Sequence, residues 1–462
     1  MKKILLCSFI FMGYFSFCQS IEQRLSKAYN SLVADPQFRN AIVGFSVFDS
    51  KNNKIVFERN ANIGLAPAST QKIITSVAAF ELLGKEYRFK TALSYLGVIK
   101  EGRLNGNLYL SGSGDPTLGS WRWPGTRDSL ILKKWLTAVK SVPIKEITGS
   151  VLFDGSKFSY QSIPDGWIWQ DIGNYYGAGA FVLNWKENQF ELTLQSENNK
   201  NNIIKIISSD TDYVNELSAG EKGSGDNAFA YLPIGAQLPL LKGTIPPGEP
   251  SFRISLAERD PIINLIKDLG WCLESNGVSN PPGEQHSSIS SDRVPESKPT
   301  IISTHFSPSL DSICYPFLRK SINLYGEALI KAIAYEKDKW GSTENGIELV
   351  KDFYFSKGIN KSAINIIDGS GLSPQNRVTA NALVSVLQYA KTRSWFSSFY
   401  NAIPEYNGLK MKSGSINGVR AFAGYQKATK GKEYTFCLII NNFNGPVAEV
   451  VEKMYKLLDI LK

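Results

Sequence analysis

The sequence predicts an α/β fold: an antiparallel sheet with helices on both faces, built from both ends of the chain and interrupted by a long β-rich insertion. Three observations point there. Two β-rich runs, 41–49 and 54–59, follow an N-terminal helical stretch. Three more β-rich runs and an amphipathic helix close the chain. Between Lys72 and Ser321 lie roughly 250 residues, a domain or two by length. Strands and helices from the two ends can cover one another's apolar faces in a single domain.

Taken in order, residues 1–18 read as a targeting segment. Lys2 and Lys3 form its basic start, Ile4 to Phe17 its apolar stretch, and Ser16-Phe17-Cys18 a small-x-small cleavage site before Gln19. Lipidation of Cys18 is the alternative, and the bulky Phe17 argues against it. No later stretch has the roughly 18 apolar residues of a membrane span, so an exported, periplasmic protein is expected. Residues 21–34 read as a helix. The two β-rich runs that follow make a hairpin across Ser50-Lys51-Asn52-Asn53. A helix is expected from about Ser69 to Leu83, with Ile73, Val77 and Phe80 at helical spacing and a stop at Gly84.

The middle carries short β-like runs at 104–110, 149–154 and 190–194. Turns punctuate it at Gly112-Ser113-Gly114-Asp115-Pro116 and Pro246-Pro247-Gly248. It reads as a β-leaning insertion, with the polar, Ser/Pro-rich stretch 281–300 as a return linker. Strands are expected at 409–413, 419–427 and 434–441, and a closing helix at 448–461.

Hydrophobic content of 43% and charged content of 20% are ordinary for globular chains. The formal charge is +9, about +7 without Lys2 and Lys3. Such a balance suits anionic envelope polymers. No basic run with interleaved aromatics points to nucleic acid. Outside the targeting segment, Cys272, Cys314 and Cys437 form an odd, widely spaced set that reads as buried thiols. The two histidines, His286 and His305, stand in stretches that read as loop. With no paired histidines, a zinc peptidase is disfavoured, and no cofactor or metal is expected. A nucleophilic serine would then need lysine as its base.

Three short motifs supply those parts in order. In Ser69-Thr70-Gln71-Lys72 the i, i+3 spacing puts Lys72 over Ser69 on one helix face, and the helix N-terminus favours negative charge there. Ser321-Ile322-Asn323, expected in a second helix, offers a hydroxyl to relay a proton and an amide to hold a substrate amide. Lys412-Ser413-Gly414, on a strand, offers a cation, a hydroxyl and a glycine that lets a substrate lie along the edge. Each alone has a plainer explanation: an N-cap serine, a helix start, a surface strand. All three in this order favour a serine acyl-transfer site. Asp368-Gly369-Ser370-Gly371 lacks a phosphate-loop lysine and reads as a structural turn near the site. Asp115-Pro116 reads as another turn, and the aromatic stretch from Trp167 to Tyr176 as core packing.

With these motifs the chain resembles the penicillin-recognising serine hydrolases, whose signature is S-x-x-K, S-x-N and K-[ST]-G. More narrowly, it resembles the D-alanyl-D-alanine carboxypeptidase/endopeptidase penicillin-binding proteins of low-molecular-mass class C, with nested inserted domains. Gly114-Asp115-Pro116-Thr117-Leu118, Gly166-Trp167-Ile168-Trp169-Gln170-Asp171 and Asp368-Gly369-Ser370-Gly371-Leu372-Ser373 also look like family stretches. Ser413 stands where threonine is usual, and Ile322 fills the variable position; neither removes a functional group.

The resemblance implies a penicillin-binding-protein/β-lactamase-like catalytic domain from 19–90 and 301–462. It implies an inserted β-rich domain from 91–111 and 184–300, and a second nested one at 112–183. Ser69 would be the nucleophile, Lys72 its base, and Ser321 the relay to the leaving nitrogen. Asn323 would hold the peptide, and Lys412 and Ser413 would bind the terminal carboxylate beside Gly414. The Ser69 and Ser415 N–H groups would form the oxyanion hole. Lys72 must then titrate far below an ordinary lysine, through burial and the nearby Lys412 cation. Asp171 and Tyr176 would reach the side chain of the substrate's third residue. The implied substrates are peptidoglycan stem peptides and their cross-links, with β-lactams as covalent inhibitors. A β-lactamase or esterase of the same fold, and a silent peptidoglycan-binding scaffold, are the competing readings.

Overall fold

Both ends of the chain enter one sheet. The structure, a computed structural model, describes residues 19–197, 204–208, 212–233, 235, 238–279, 288–289, 298–429 and 431–462. The targeting segment, His286 and most of the expected linker at 281–300 lie outside these residues. Six antiparallel strands run in the order Glu405–Tyr406, Leu409–Ile416, Val419–Lys427, Glu433–Asn441, Ile42–Asp49, Lys54–Arg59. The central pairing joins the two ends, with Val43 opposite Ile440 and Val47 opposite Phe436.

Alternation along these strands builds two cores. Phe436, Leu438 and Ile440 face one side with Phe45, Met411 and Met454, beneath the helices Ile21–Ala34 and Val447–Leu458. Cys437 and Ile439 face the other, against Ile73 and Val77 of helix Lys72–Leu82 and Leu383 and Leu387 of helix Ala380–Lys391. The expected helices on both faces are present. So are all the end strands and the first helix, within a few residues. Cys314 and Cys437 are buried free thiols, and Cys272 is half-buried.

The insertion departs from the expected division. Strand Arg103–Gly112 pairs with Lys90–Lys100 and, in parallel, with Val151–Asp154; Thr300–Phe306 closes the far side. Helices Asp128–Ser141 and Pro261–Glu274 pack on this sheet through Ile131, Trp135, Leu265 and Leu269. The stretch 112–183 therefore does not stand apart from 91–111. The separate core lies within 189–257, where two three-stranded sheets enclose Leu192, Leu194, Leu241, Ile245 and Ile254. That small unit is the nested one, and the larger is α/β in character.

His305 is also misplaced by the sequence reading. It sits buried on strand Thr300–Phe306, opposite Thr91, because pairing with Lys90–Lys100 holds this Ser/Thr-rich run extended. Among the described residues, no helix is long and apolar enough to cross a membrane.

Candidate active site

The first turn after Pro67 is a 3₁₀ turn, Ala68–Gln71, and the α-helix proper starts at Lys72. Ser69 thus sits just ahead of the helix expected to begin with it. Strand Leu409–Ile416 runs directly beside this turn. A Cβ on Gly414 would lie 2.6 Å from Pro67 O and 3.1 Å from Ser69 N, so only glycine admits the contact. Glu405–Tyr406 covers the outer edge of that strand only at Leu409 and Lys410. Among the described residues, no strand pairs with that edge from Lys412 onward. Ser413 is half-buried there and Ser415 exposed.

The three motifs converge. Lys72 Nζ donates to Ser69 Oγ at 2.9 Å, Asn323 Oδ1 at 2.6 Å and the Ser370 carbonyl at 2.7 Å. Lys412 Nζ donates to Ser321 Oγ at 3.0 Å and to the Ser413 carbonyl at 2.8 Å. Ser321 is not in a helix: it occupies the turn before helix Asn323–Asp338, in the left-handed region at φ 59°. That conformation costs a non-glycine residue on the order of 1 kcal/mol and recurs at functional sites. Here it aims the hydroxyl at Lys412 while Asn323 starts the helix.

Lys72 is fully buried, and burial pulls its ammonium down to about 7, against the opposing pull of Asp368 and Glu327. The expected help from the Lys412 cation does not appear. Lys412 is itself held well below the usual lysine range, by burial first and by Lys72 second. The Ser69 Oγ, the Asn323 Oδ1 and the Ser370 carbonyl are the hydrogen-bond partners of Lys72 Nζ among the described residues, so a deprotonated amine would point a lone pair at the serine hydroxyl.

The supposed structural turn at Asp368–Gly371 is part of this site. Its Ser370 carbonyl is the third Lys72 acceptor. Asp368 is fully buried and fixes the turn by accepting from Gln71 Nε2, Asn376 Nδ2, Trp167 Nε1 and the Gly371 and Ser373 N–H groups. Glu327, also fully buried, accepts from the Gly369 N–H at 2.9 Å. Burial, aided by the Asp368 charge, raises its carboxyl to about 8. The i, i+4 spacing from Asn323 to Glu327 was the sequence signal for it.

Asp171 lies on the short helix Trp169–Ile172 and Tyr176 on the turn Tyr175–Gly177. Tyr176 meets the site through its backbone: its carbonyl accepts from Asn323 Nδ2 at 2.8 Å. Its hydroxyl is hydrogen-bonded to the Asp171 carboxyl, which burial raises to about 6.

The family model for "D-Ala-D-Ala carboxypeptidase 3 (S13) family" matches residues 25–408. The chain belongs to the D-Ala-D-Ala carboxypeptidase 3 (S13) family. This S13 protein is 27% identical to the D-alanyl-D-alanine carboxypeptidase DacB of Haemophilus influenzae, over 96% of its own chain and 94% of the relative. It is 24% identical to the D-alanyl-D-alanine carboxypeptidase of Actinomadura sp., over 93% and 83%. In structure it matches penicillin binding protein 4 (dacB) from Haemophilus influenzae with a TM-score of 0.79 and 24% identity, over 94% and 98% of the two chains. The S13 protein is a serine-type DD-peptidase, a hydrolase. The family match ends just short of Lys412, so the C-terminal strand's part in the site rests on the geometry above.

Proposed function

We propose that the S13 enzyme hydrolyses D-Ala-D-Ala and D-Ala-diamino acid bonds of peptidoglycan stem peptides and cross-links, after export to the periplasm, with Ser69 as nucleophile. The observation that carries this reading is the buried Lys72 amine, 2.9 Å from Ser69 Oγ and drawn down to about 7. Lys72 takes the Ser69 proton as Oγ attacks the D-alanine carbonyl carbon. The Ser69 and Ser415 N–H groups receive the oxyanion that forms. As the C–N bond breaks, Ser321 passes a proton to the leaving nitrogen and is itself resupplied by Lys412, which donates to it at 3.0 Å. Water then attacks the acyl ester, and Ser69 regains its proton.

Lys412 and Ser413 bind the terminal carboxylate. Its arrival favours the charged form of Lys412, which in turn opposes protonation of Lys72. Asn323 aligns the peptide, and Asp171 with Tyr176 meets the third residue's side chain. A β-lactam carries the same carboxylate and a strained amide, so it acylates the same serine.

Intact-mass measurement after benzylpenicillin treatment, followed by peptide mapping, tests the assignment. One adduct on Ser69 is expected, absent from Ser69→Ala. An adduct on another residue, or none on a folded protein, would overturn it.

A further inference from the structure

Asn323, Glu327 and Lys331 recur every fourth residue along helix Asn323–Asp338 and so share a face. The first two serve the Lys72 site. Lys331 does something else. Its side chain is 1% exposed, and its Nζ donates to the Gln161 carbonyl at 2.6 Å and the Ala180 carbonyl at 2.9 Å. Those carbonyls stand at the two ends of one segment. The ends also meet directly, since the Ala180 N–H donates to the Ser162 carbonyl at 2.9 Å. Residues 161–180 therefore form a closed loop with Lys331 at its neck.

The loop lies against the cleft at three points. Trp167 Nε1 donates to Asp368 at 2.9 Å, the Ser373 hydroxyl to the Gly166 carbonyl at 3.0 Å, and Asn323 Nδ2 to the Tyr176 carbonyl at 2.8 Å. Asp171 and Tyr176 sit in its middle. No ion pair to Lys331 exists among the described residues. A buried ammonium without one is a poor device for stability alone. Two carbonyls from opposite ends of a loop are what such a donor can clasp.

We propose that Lys331 is a positioning residue for substrate selection: it clasps the neck of the 161–180 loop and thereby sets where Asp171 and Tyr176 stand over the cleft. The inference rests on the reading that this pair meets an ammonium-bearing side chain on the substrate's third residue. The clasp acts through the loop and touches neither substrate nor Ser69.

Lys331→Met keeps the length of the side chain and removes its donors. Three quantities are to be measured against wild type: kcat and KM for stem pentapeptides with a free or an acetylated third-residue amine, the rate of benzylpenicillin acylation, and amide hydrogen exchange across 162–179. The free-amine peptide should lose about tenfold in kcat/KM, the scale of one charge-assisted hydrogen bond. The acetylated peptide and benzylpenicillin should stay within about twofold, while exchange in the loop quickens. Equal losses on both peptides and on penicillin would make Lys331 a general fold residue. An unchanged preference, with or without faster exchange, would also overturn the proposal. If Lys331→Met does not fold, Lys331→Gln, which retains one donor group, should show the same pattern in weaker form. If wild type itself shows no preference for the amine, the reading of Asp171 fails; loop exchange then still decides whether Lys331 is the clasp.

Discussion

A lysine that must accept a proton at neutral pH cannot remain an ordinary surface lysine, and Lys72 is not one. With its ammonium drawn down to about 7 by burial, the free amine is well populated at neutrality. With Lys72 as the proposed base, acylation needs its unprotonated form, so the rate of benzylpenicillin acylation should rise with pH through about 7 and level off about one unit above. Asp171 titrates near 6 and pairs with an ammonium only when ionised. The preference for a free-amine stem peptide over its acetylated form should therefore grow as pH rises through about 6. A series from pH 5 to 9 separates the two inflections, and Asp171→Asn should erase only the second. A flat acylation profile from 6 to 8 would remove Lys72 as the base. Much of this site was legible because Ser69 with Lys72, Ser321 with Asn323, and Lys412 with Gly414 are each local patterns. The Ser370 carbonyl was not legible, since any residue type supplies a carbonyl. Lys331 escaped for a related reason: in sequence it is a lysine on a helix, and only burial reveals its task.

At the scale of elements, the site depends on how closely helix Asn323–Asp338 and the Asp368–Gly371 turn approach. A Cβ on Gly369 would lie 2.3 Å from the Gly326 carbonyl, and one on Gly326 would lie 2.9 Å from the Gly369 carbonyl. Thr75, on helix Lys72–Leu82, adds a 2.5 Å hydrogen bond to that same Gly369 carbonyl. Gly369→Ala should therefore push the turn outward and take the Ser370 carbonyl from Lys72. Forced packing of this kind costs about 1–3 kcal/mol. Penicillin acylation should fall about ten- to a hundredfold, with a melting temperature lower by several degrees. Acylation at the wild-type rate would show that the turn is a bystander. The end strands were readable because apolar alternation is a property of each strand alone. Helix Asp128–Ser141 also carried its signal, in Ile131, Trp135 and Val139, but the β-like runs around it dominated the reading. The nesting was not readable. Parallel pairing of Val151–Asp154 with Arg103–Gly112 is a contact between distant runs, and tertiary packing alone selects it.

For the molecule as a whole, the nested unit braces the 161–180 loop. Trp169 Nε1 donates to the Leu232 carbonyl at 2.7 Å, and Asn174 Oδ1 accepts from the Ala230 N–H at 3.2 Å. Trp169 also packs edge-on against Tyr231. The unit enters and leaves through paired strands, with Phe190 opposite Leu256, so residues 191–255 can be replaced by an Asn-Gly turn. The shortened enzyme should fold and take benzylpenicillin on Ser69 at a rate within about threefold of wild type. Its amine preference should drop about tenfold, the scale of one charge-assisted contact. Loss of penicillin acylation from a folded product would make the unit part of the catalytic machinery.

The pairing of Ile42–Asp49 with Glu433–Asn441 carries a consequence for timing. A polypeptide is made from its N-terminus, so Ser69 and Lys72 emerge early. The strand that carries Lys412, and the strand that fastens the sheet, are among the last to appear. Pairings of such long sequence separation form slowly and only on a finished chain. A growing or C-terminally clipped polypeptide thus carries Ser69 and Lys72 without the Lys412 strand that completes the site.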